Sequence, residues 1–343
     1  MTVAVPGVNV SGVEGWFAGH IPVCQPPLSF TLIAGGHSNL TFRVADAAGH
    51  QWVMRRPPLG QLLPTAHDME REYRILSSLQ ATAVPVPETL ALCRHPAVNG
   101  APFYVMALVD GAVLRNPQAA VDTLDEAGRR QVGLRLADTL AEIHSVEPAA
   151  VGLGDLGRPD GYVARQLKRW KRQLDDSRTR PLDSLYELHD RLAARIPEQA
   201  HTGLVHGDFR LDNCIVGADA SVRAVLDWEL CTQGDTLADV GLLMVYWTSP
   251  DDAERPIDQA PTLAPGFPTR QEMLRRYSET RGIDVAEIDF YVSFAYWRLA
   301  CITEGVYARY LHGGMGDRTG EAGQFEQRVI DLATAAQRVA DRW

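Results

Sequence analysis

Residues 204–229 read LVHGDFRLDNCIVGADASVRAVLDWE. A short apolar run, Leu204-Val205, leads into a polar loop. Two strand-like segments, CIV and VRAVL, then flank the turn GADAS, the pattern of a β-hairpin. Asn213 immediately precedes the first of these segments and Asp227 immediately follows the second. In an antiparallel pair such positions lie side by side, away from the turn. Asp208 stands five residues before Asn213, on the loop leading in. The spacing therefore predicts that three oxygen-bearing side chains converge at one edge. Asn and Asp together are hard ligands suited to magnesium, which keeps several waters and takes substrate phosphates. A third carboxylate that leaves the metal alone is free to orient a hydroxyl nucleophile. Such a set is the minimum for phosphoryl transfer, where positioning and charge neutralisation do most of the catalysis. Any one of these residues alone reads as a backbone cap. The D-x4-N spacing followed by a strand-end Asp favours chemistry.

Outward from that stretch, residues 28–56 read as three strands joined by turns: LSFTLIA, GGHSN, LTFRVADAAG and QWVMRR. Alternating apolar and polar residues favour an antiparallel meander. A helix is expected over residues 66–80, with Thr65 as its cap and Asp68 in the third position of a capping box, replacing the usual Glu. AVPVPET breaks the pattern, and LALCRH and APFYVMALV read as two more strands. Beyond about Gly111 the texture is helical, with apolar spacing over residues 128–146. The expectation is an α+β chain, with a small β-rich lobe over residues 1–109 and a larger α-rich lobe over 110–343. Residues 248–268 hold five prolines and four acidic residues, which suggests an irregular loop acting as a lid or substrate loop.

Composition narrows the partners. The 343 residues carry a formal charge of −10, which argues against general nucleic-acid binding. The longest apolar stretch, residues 240–247, is far below the roughly 20 residues of a spanning helix, so no membrane partner is expected. MTVAVPGVNV lacks a basic segment before an apolar one, so no secretory signal is visible. The five cysteines form no CxxC pair, and a reducing, cytoplasmic location is expected. No HExxH or GxSxG motif occurs.

The D-x4-N pattern of protein-kinase catalytic loops matches Asp208 to Asn213, and Asp227 in LDWE matches the metal-binding Asp of DFG. HGDFRLDN followed by VLDWE resembles the aminoglycoside phosphotransferase family, kinase-like small-molecule phosphotransferases that carry HGD where protein kinases carry HRD. The resemblance covers nearly the whole chain, from GGHSN to the helix containing Gly305. It implies a two-lobed protein-kinase-like fold, with one helix on a small antiparallel sheet and a larger, mainly helical second lobe. It also implies Asp208 as catalytic base, Asn213 and Asp227 as magnesium ligands, and Asp239 in TLADVG as a support of the catalytic loop.

A kinase-like fold needs a cation on its third strand, paired with a helix Glu, to hold nucleotide phosphates. The strand is WVMRR, and the chain's two lysines, Lys168 and Lys171, both come later. Arginine must take the part. Arg55 follows Val53 and Met54 as the lysine follows its apolar residues in VAIK, and Arg56 is the fallback. Arginine is planar and bidentate where lysine is a point charge. The same substitution occurs in a branch related to acyl-CoA dehydrogenase fusion proteins, which this chain resembles in RRPPLGQLLPTAHDMEREYRIL and WELCTQGDTLADVG. At about 100° per residue, Glu72 falls in one arc with Met69, Tyr73, Ile75, Leu76 and Leu79. A carboxylate on a buried face needs a partner, and Arg55 is the candidate. In the turn GGHSN, Ser38 and Asn39 can donate to phosphates. FYVMALVDG matches the hinge, whose backbone from Met106 to Leu108 would hydrogen-bond adenine.

These readings imply an ATP- and magnesium-dependent O-phosphotransferase acting on a hydroxyl of a small molecule, with GTP left open. A catalytically weak pseudokinase is the rival, favoured by the missing lysine. A protein kinase is set aside for want of HRD and APE. Two features pull the acceptor in opposite directions. The acidic loop at 248–268 suits a polycationic aminoglycoside. Residues 158–180 carry eight basic and three acidic residues, with Arg165, Lys168, Arg169 and Arg172 at helical spacing, which suits an anionic hydroxyacyl-CoA. His144 and the aromatic stripe Phe290, Tyr291, Phe294, Tyr296 and Trp297 read as packing.

Overall fold

The structure is a computed structural model that describes residues 5–34, 39–59, 68–312 and 322–343. The chain divides into two compact units: Met1–Gly111 with Arg223–Leu230, and Ala112–Val222 with Cys231–Trp343.

The first unit opens with a helix that the sequence reading leaves out, α1 (Val10–His20), capped by the Asn9 side chain. Strands β1 (Ser29–Ala34), β2 (Leu40–Ala45) and β3 (Gln51–Arg56) form the expected meander. Helix α2 (Met69–Leu79) follows, then β4 (Thr89–Cys93), a short helix α3 (Pro96–Asn99) and β5 (Phe103–Ala107). The sheet order is β1-β2-β3-β5-β4, all neighbours antiparallel. Period-two alternation buries Phe42 and Val44 of β2 while Arg43 faces out to Gln51 of β3. The buried face packs on α1, where Trp16 meets Phe103 edge-on at 4.8 Å and Phe17 meets Trp52 at 5.8 Å. Helix α2 starts later than the sequence suggests. Asp68 itself is the N-cap, accepting from the Arg71 amide, because its short carboxylate reaches the orphan amides of the first turn. Thr65 lies outside the described residues.

The second unit is mainly helical: α4 (Pro117–Thr123), α5 (Glu126–Ser145), α6 (Tyr162–Ser177), α7 (Asp183–Ala194), α8 (Leu237–Tyr246), α9 (Arg270–Arg281), α10 (Ile288–Leu311) and α11 (Ala322–Ala340). Strand β6 (Thr202–Val205) pairs antiparallel with β9 (Thr232–Asp235). Between them in sequence come β7 (Cys214–Val216), in this unit, and β8 (Val222–Val225), which falls almost wholly in the first. The GADAS turn is closed by the Gly217 amide on the Ser221 carbonyl at 2.9 Å. Helix α8 is buried over nearly its whole length, as its all-round apolar sequence requires. At Gly241 a Cβ would meet the Tyr291 backbone at 2.5 Å, so glycine is what lets α8 approach α10. The stripe Phe290, Tyr291, Phe294, Tyr296 and Trp297 is fully part of this core.

Residues 248–268 are packed rather than open. Ala260, Pro261, Thr262 and Ala264 are buried, and the Thr262 hydroxyl donates to the Thr248 carbonyl at 2.8 Å. Asp252 is held bidentately by Arg270 at 2.6 and 2.7 Å, Glu254 pairs with Arg338, and Asp258 lies 3.5 Å from Arg328. Three of the four acids of this irregular loop are ion-paired within the unit.

Candidate active site

In the second unit, β6 delivers the chain into the loop 206–213. His206 and Gly207 donate their amides to the two oxygens of Asp239, at 2.6 and 2.9 Å. Asp239 is 1% exposed and sits in the first turn of α8. Burial opposes its charge, but the His144 imidazole, His206 and the Gly207 amide outweigh that and hold the carboxyl below its usual range. His144 is buried too, between the Tyr277 hydroxyl at 2.7 Å and Asp239 at 3.3 Å. Burial pushes its imidazole down. His144 is thus the packed histidine that the helix pattern suggests, and it also orients Asp239.

Gly207 has φ +85°, in the left-handed region that glycine enters without strain. The turn at Gly207 presents Asp208. The Asp208 amide donates to His206 Nδ1 at 3.2 Å. Asn213 spends its amide nitrogen on Asp208 twice, at 2.8 Å to the backbone carbonyl and 3.0 Å to Oδ2. That leaves the Asn213 carbonyl oxygen as the group available to a cation. Burial raises the Asp208 carboxyl above its usual value, while Arg210, His206, Arg298 and the Asn213 hydrogen bond pull the other way. Arg210 lies 3.5 Å from Asp208, pairs with Asp212 at 3.0 Å, and stacks over the Tyr246 ring.

In the first unit, the third strand and α2 make a second cluster. Arg55 Nε donates to Glu72 at 3.0 Å and Nη2 to Asp227 at 2.6 Å. Glu72 is 1% exposed, on the buried face that helical periodicity assigns it. Burial pushes the Glu72 carboxyl up to about 7, with Arg55 opposing and Asp227 and Glu229 adding to the rise. On Arg55, burial works against the charge, but Glu72, Tyr104 and Asp227 keep the guanidinium held above its usual value. Tyr104 stands opposite Arg55 in the β3–β5 register. Burial, together with the Glu72 carboxylate it faces, keeps its phenol neutral. Arg56 is committed elsewhere, to the carbonyls of Pro57, Gly7 and Asn99.

Asp227 follows β8 after one intervening residue, Leu226, with φ +64°. Few side chains tolerate that conformation, and Asp is among them. The buried Trp228 anchors the segment through its indole nitrogen on the Val225 carbonyl at 3.0 Å. Asn39 is buried and donates to Glu229 at 3.2 Å, and its side-chain oxygen has no partner among the described residues. Ser38 lies outside the described residues. Met106 is buried in β5 opposite Val53, and Leu108 just beyond the strand is 37% exposed.

No cluster of three or more His, Cys, Asp and Glu fit to hold a metal occurs among the described residues. Asn213 in the second unit and Asp227 in the first each carry a hard oxygen of the kind magnesium takes. Sequence reasoning missed Tyr104, Glu229 and Arg298. Tyr104 is visible only through the register that sets it opposite Arg55, and Arg298 is a lone charge inside an aromatic helix.

The model of the phosphotransferase enzyme family matches residues 29–273. Mouse acyl-CoA dehydrogenase family member 10 is 36% identical over 314 residues, covering 90% of this chain and 29% of that protein. The chain thus spans less than a third of that relative. A crystal structure of a candidate aminoglycoside phosphotransferase from Ralstonia eutropha is 31% identical with a TM-score of 0.83, covering 98% of this chain and 99% of that one. A spectinomycin phosphotransferase solved with ADP and spectinomycin is 12% identical with a TM-score of 0.65, covering 97% and 99%, a likeness of fold. The kinase-like α+β fold and a matching family model over most of its length place this chain in the phosphotransferase enzyme family.

Proposed function

We propose that the chain is an ATP- and magnesium-dependent O-phosphotransferase acting on a hydroxyl of a small molecule. The observation that carries this reading is the Asp208–Asn213 pair. The amide nitrogen of Asn213 fixes the Asp208 carboxylate, and its carbonyl oxygen is left for a cation. Asp208 accepts or orients the proton of the acceptor hydroxyl. Burial, which raises its proton affinity, suits that part. Asn213 and Asp227 would hold magnesium, which supplies charge neutralisation to the phosphates when bound. Arg55, held in place by Glu72, holds nucleotide phosphates through its planar fork. Asn39 adds a donor, and the backbone at Met106 and Leu108 meets the base. GTP satisfies the phosphate contacts equally, so nucleotide choice rests with that backbone.

For the acceptor, a hydroxyacyl thioester fits better than an aminoglycoside. The acids at 252, 254 and 258 are already paired, which weakens their attraction for a polycation. A cavity of about 440 Å³ borders Arg210 and Leu211 and is lined mainly by apolar side chains, among them Leu243, Tyr246, Leu299 and Leu332. Arg115, at its edge, has no acidic partner among the described residues. An apolar acyl chain matches that lining, and an anionic group beside it would meet Arg115. The mouse relative's name, an acyl-CoA dehydrogenase family member, points the same way.

A nucleotide-binding protein without turnover is the second reading. The observation that favours it is Asp227, which is already paired with Arg55. ADP release from Mg-ATP by the wild type and by Asp208→Asn, against aminoglycosides, macrolides, amino alcohols and hydroxyacyl-CoAs, separates the two. Turnover on one class, lost in the variant, supports the kinase. Magnesium-dependent ATP binding with equal background in both proteins, whatever the acceptor, sinks it in favour of the second reading.

A further inference from the structure

Arg298 is a buried cation without an ion pair. It lies on α10 within the apolar face that holds Phe294 and Trp297, and it is 8% exposed. No carboxylate among the described residues pairs with it. Its Nη2 donates to the Gly207 carbonyl at 2.9 Å, and its guanidinium lies 5.4 Å from the Trp170 ring of α6. Its Nε is buried with no hydrogen-bond partner. Burying an unpaired charge is expensive, so a sequence keeps such a group where it does something that an apolar residue of similar volume does not.

What Arg298 touches is the residue immediately before Asp208. Gly207 is the pivot of the loop: its positive φ sets the direction in which Asp208 leaves, and its amide is already fixed from below by Asp239. The carbonyl is the other end of the same residue. The peptide between Gly207 and Asp208 is held at both of its polar groups, its carbonyl by Arg298 and its Asp208 amide by His206 Nδ1 at 3.2 Å. Asn213 then fixes the carboxylate itself. Without Arg298 the carbonyl is a buried acceptor with no donor among the described residues, and only the 3.2 Å bond from the Asp208 amide to His206 resists the rotation that moves Asp208.

We infer that Arg298 is a positioning residue for phosphoryl transfer, acting through the Gly207 carbonyl on the placement of Asp208. The inference builds on the part given above to Asp208, and it makes a separate physical claim about the loop. Two variants test it: Arg298→Met, which removes charge and donor at similar volume, and Arg298→Lys, which keeps the charge and one donor. The first readout needs no acceptor. Hydrogen exchange of amides 206–209 should speed up by about tenfold in Arg298→Met and less in Arg298→Lys, while α10 and α6 exchange as in the wild type. That is the loss expected for a hydrogen bond to a charged group. The second readout is kinetic. With an acceptor in hand, kcat should fall about ten- to a hundredfold in Arg298→Met with KM for Mg-ATP unchanged, and Arg298→Lys should recover part of it. If the methionine variant does not fold, the lysine variant carries the test, because its effect on the loop alone distinguishes positioning from packing. Wild-type exchange at 206–209 in both variants overturns the inference. So does faster exchange spread evenly through α6 and α10, which would make Arg298 a packing residue. A wild type that never turns over any acceptor defeats the proposed function, and the exchange result still decides the inference.

Discussion

The Arg55 guanidinium donates to the Asp227 carboxylate at 2.6 Å while its other edge stays on Glu72. One arginine thus spans the helix glutamate and the candidate metal-binding aspartate, which a single-point lysine ammonium does less readily. Arg55→Lys should therefore keep the fold but hold one carboxylate at a time, with nucleotide affinity down about tenfold. Arg55→Met leaves Glu72 buried beside no cation and should cost about 3–5 kcal/mol of stability. Calorimetric titration with Mg-ATP and thermal unfolding of both variants measure these effects.

Glu72 links that cluster to pH. Its folded value near 7 lies above its ordinary 4.5 because burial disfavours the charge. A carboxyl raised in the folded state lends its stability fully below pH 4.5, and that contribution is lost as pH rises through 7. Between those limits the nucleotide-free wild type should lose on the order of 3 kcal/mol relative to Glu72→Gln, whose curve is flat over the window. Urea unfolding at pH 4.5, 6 and 8 reads the difference. A constant gap between the two proteins contradicts it. Nucleotide binding should run the other way, weakening as pH drops below 7 and Glu72 loses its charge toward Arg55.

Asn213 holds Asp208 with two hydrogen bonds from its amide nitrogen. Asn213→Ala should raise the magnesium concentration for half-maximal activity about tenfold or more, as removal of groups that hold or orient a metal ligand does. It should lower kcat as well, since Asp208 loses its clamp. A magnesium titration of initial rates separates the two effects.

Asp239 accepts two loop amides and meets His144. Asp239→Asn presents an amide group to one of those donors and should cost about 1.5–3 kcal/mol. Thermal unfolding should show the loss, and kcat should fall with it. His144→Gln, which leaves both amides on Asp239, should cost less.

How much of this was legible in the residues differs from place to place. The loop over 206–213 reads directly because its members are close in sequence: Asp208 and Asn213 are five apart, and the spacing alone brings them into contact. Glu72 is legible through phase, since a helix repeats regularly and a charged residue in the apolar arc stands out. The partner of that glutamate needed the strand pattern and the scarcity of lysine. Where pairing is long-range the residues are silent. The acids of 248–268 look like an open lid, and only the fold brings Arg270, Arg338 and Arg328 to them. Helix α1 is invisible because its three glycines weaken helix propensity, and its burial against the sheet overrides that. Arg298 is hidden in the same way: nothing in an aromatic stripe says that a neighbouring arginine turns toward a glycine ninety-one residues earlier.

Both lysines of the chain sit on α6, beside the groove bordered by Arg172 and Asp175. The strand that carries Arg55 therefore offers no side-chain amine to acylating chemistry. Acyl-phosphate nucleotides, which mark ATP sites by transferring an acyl group to a nearby lysine, will pass over the Arg55 cluster and report it as empty whether or not nucleotide binds there. Dicarbonyl reagents that condense with guanidinium groups will find it. Surveys of nucleotide-binding proteins that depend on amine capture are, for a chain built this way, blind by construction.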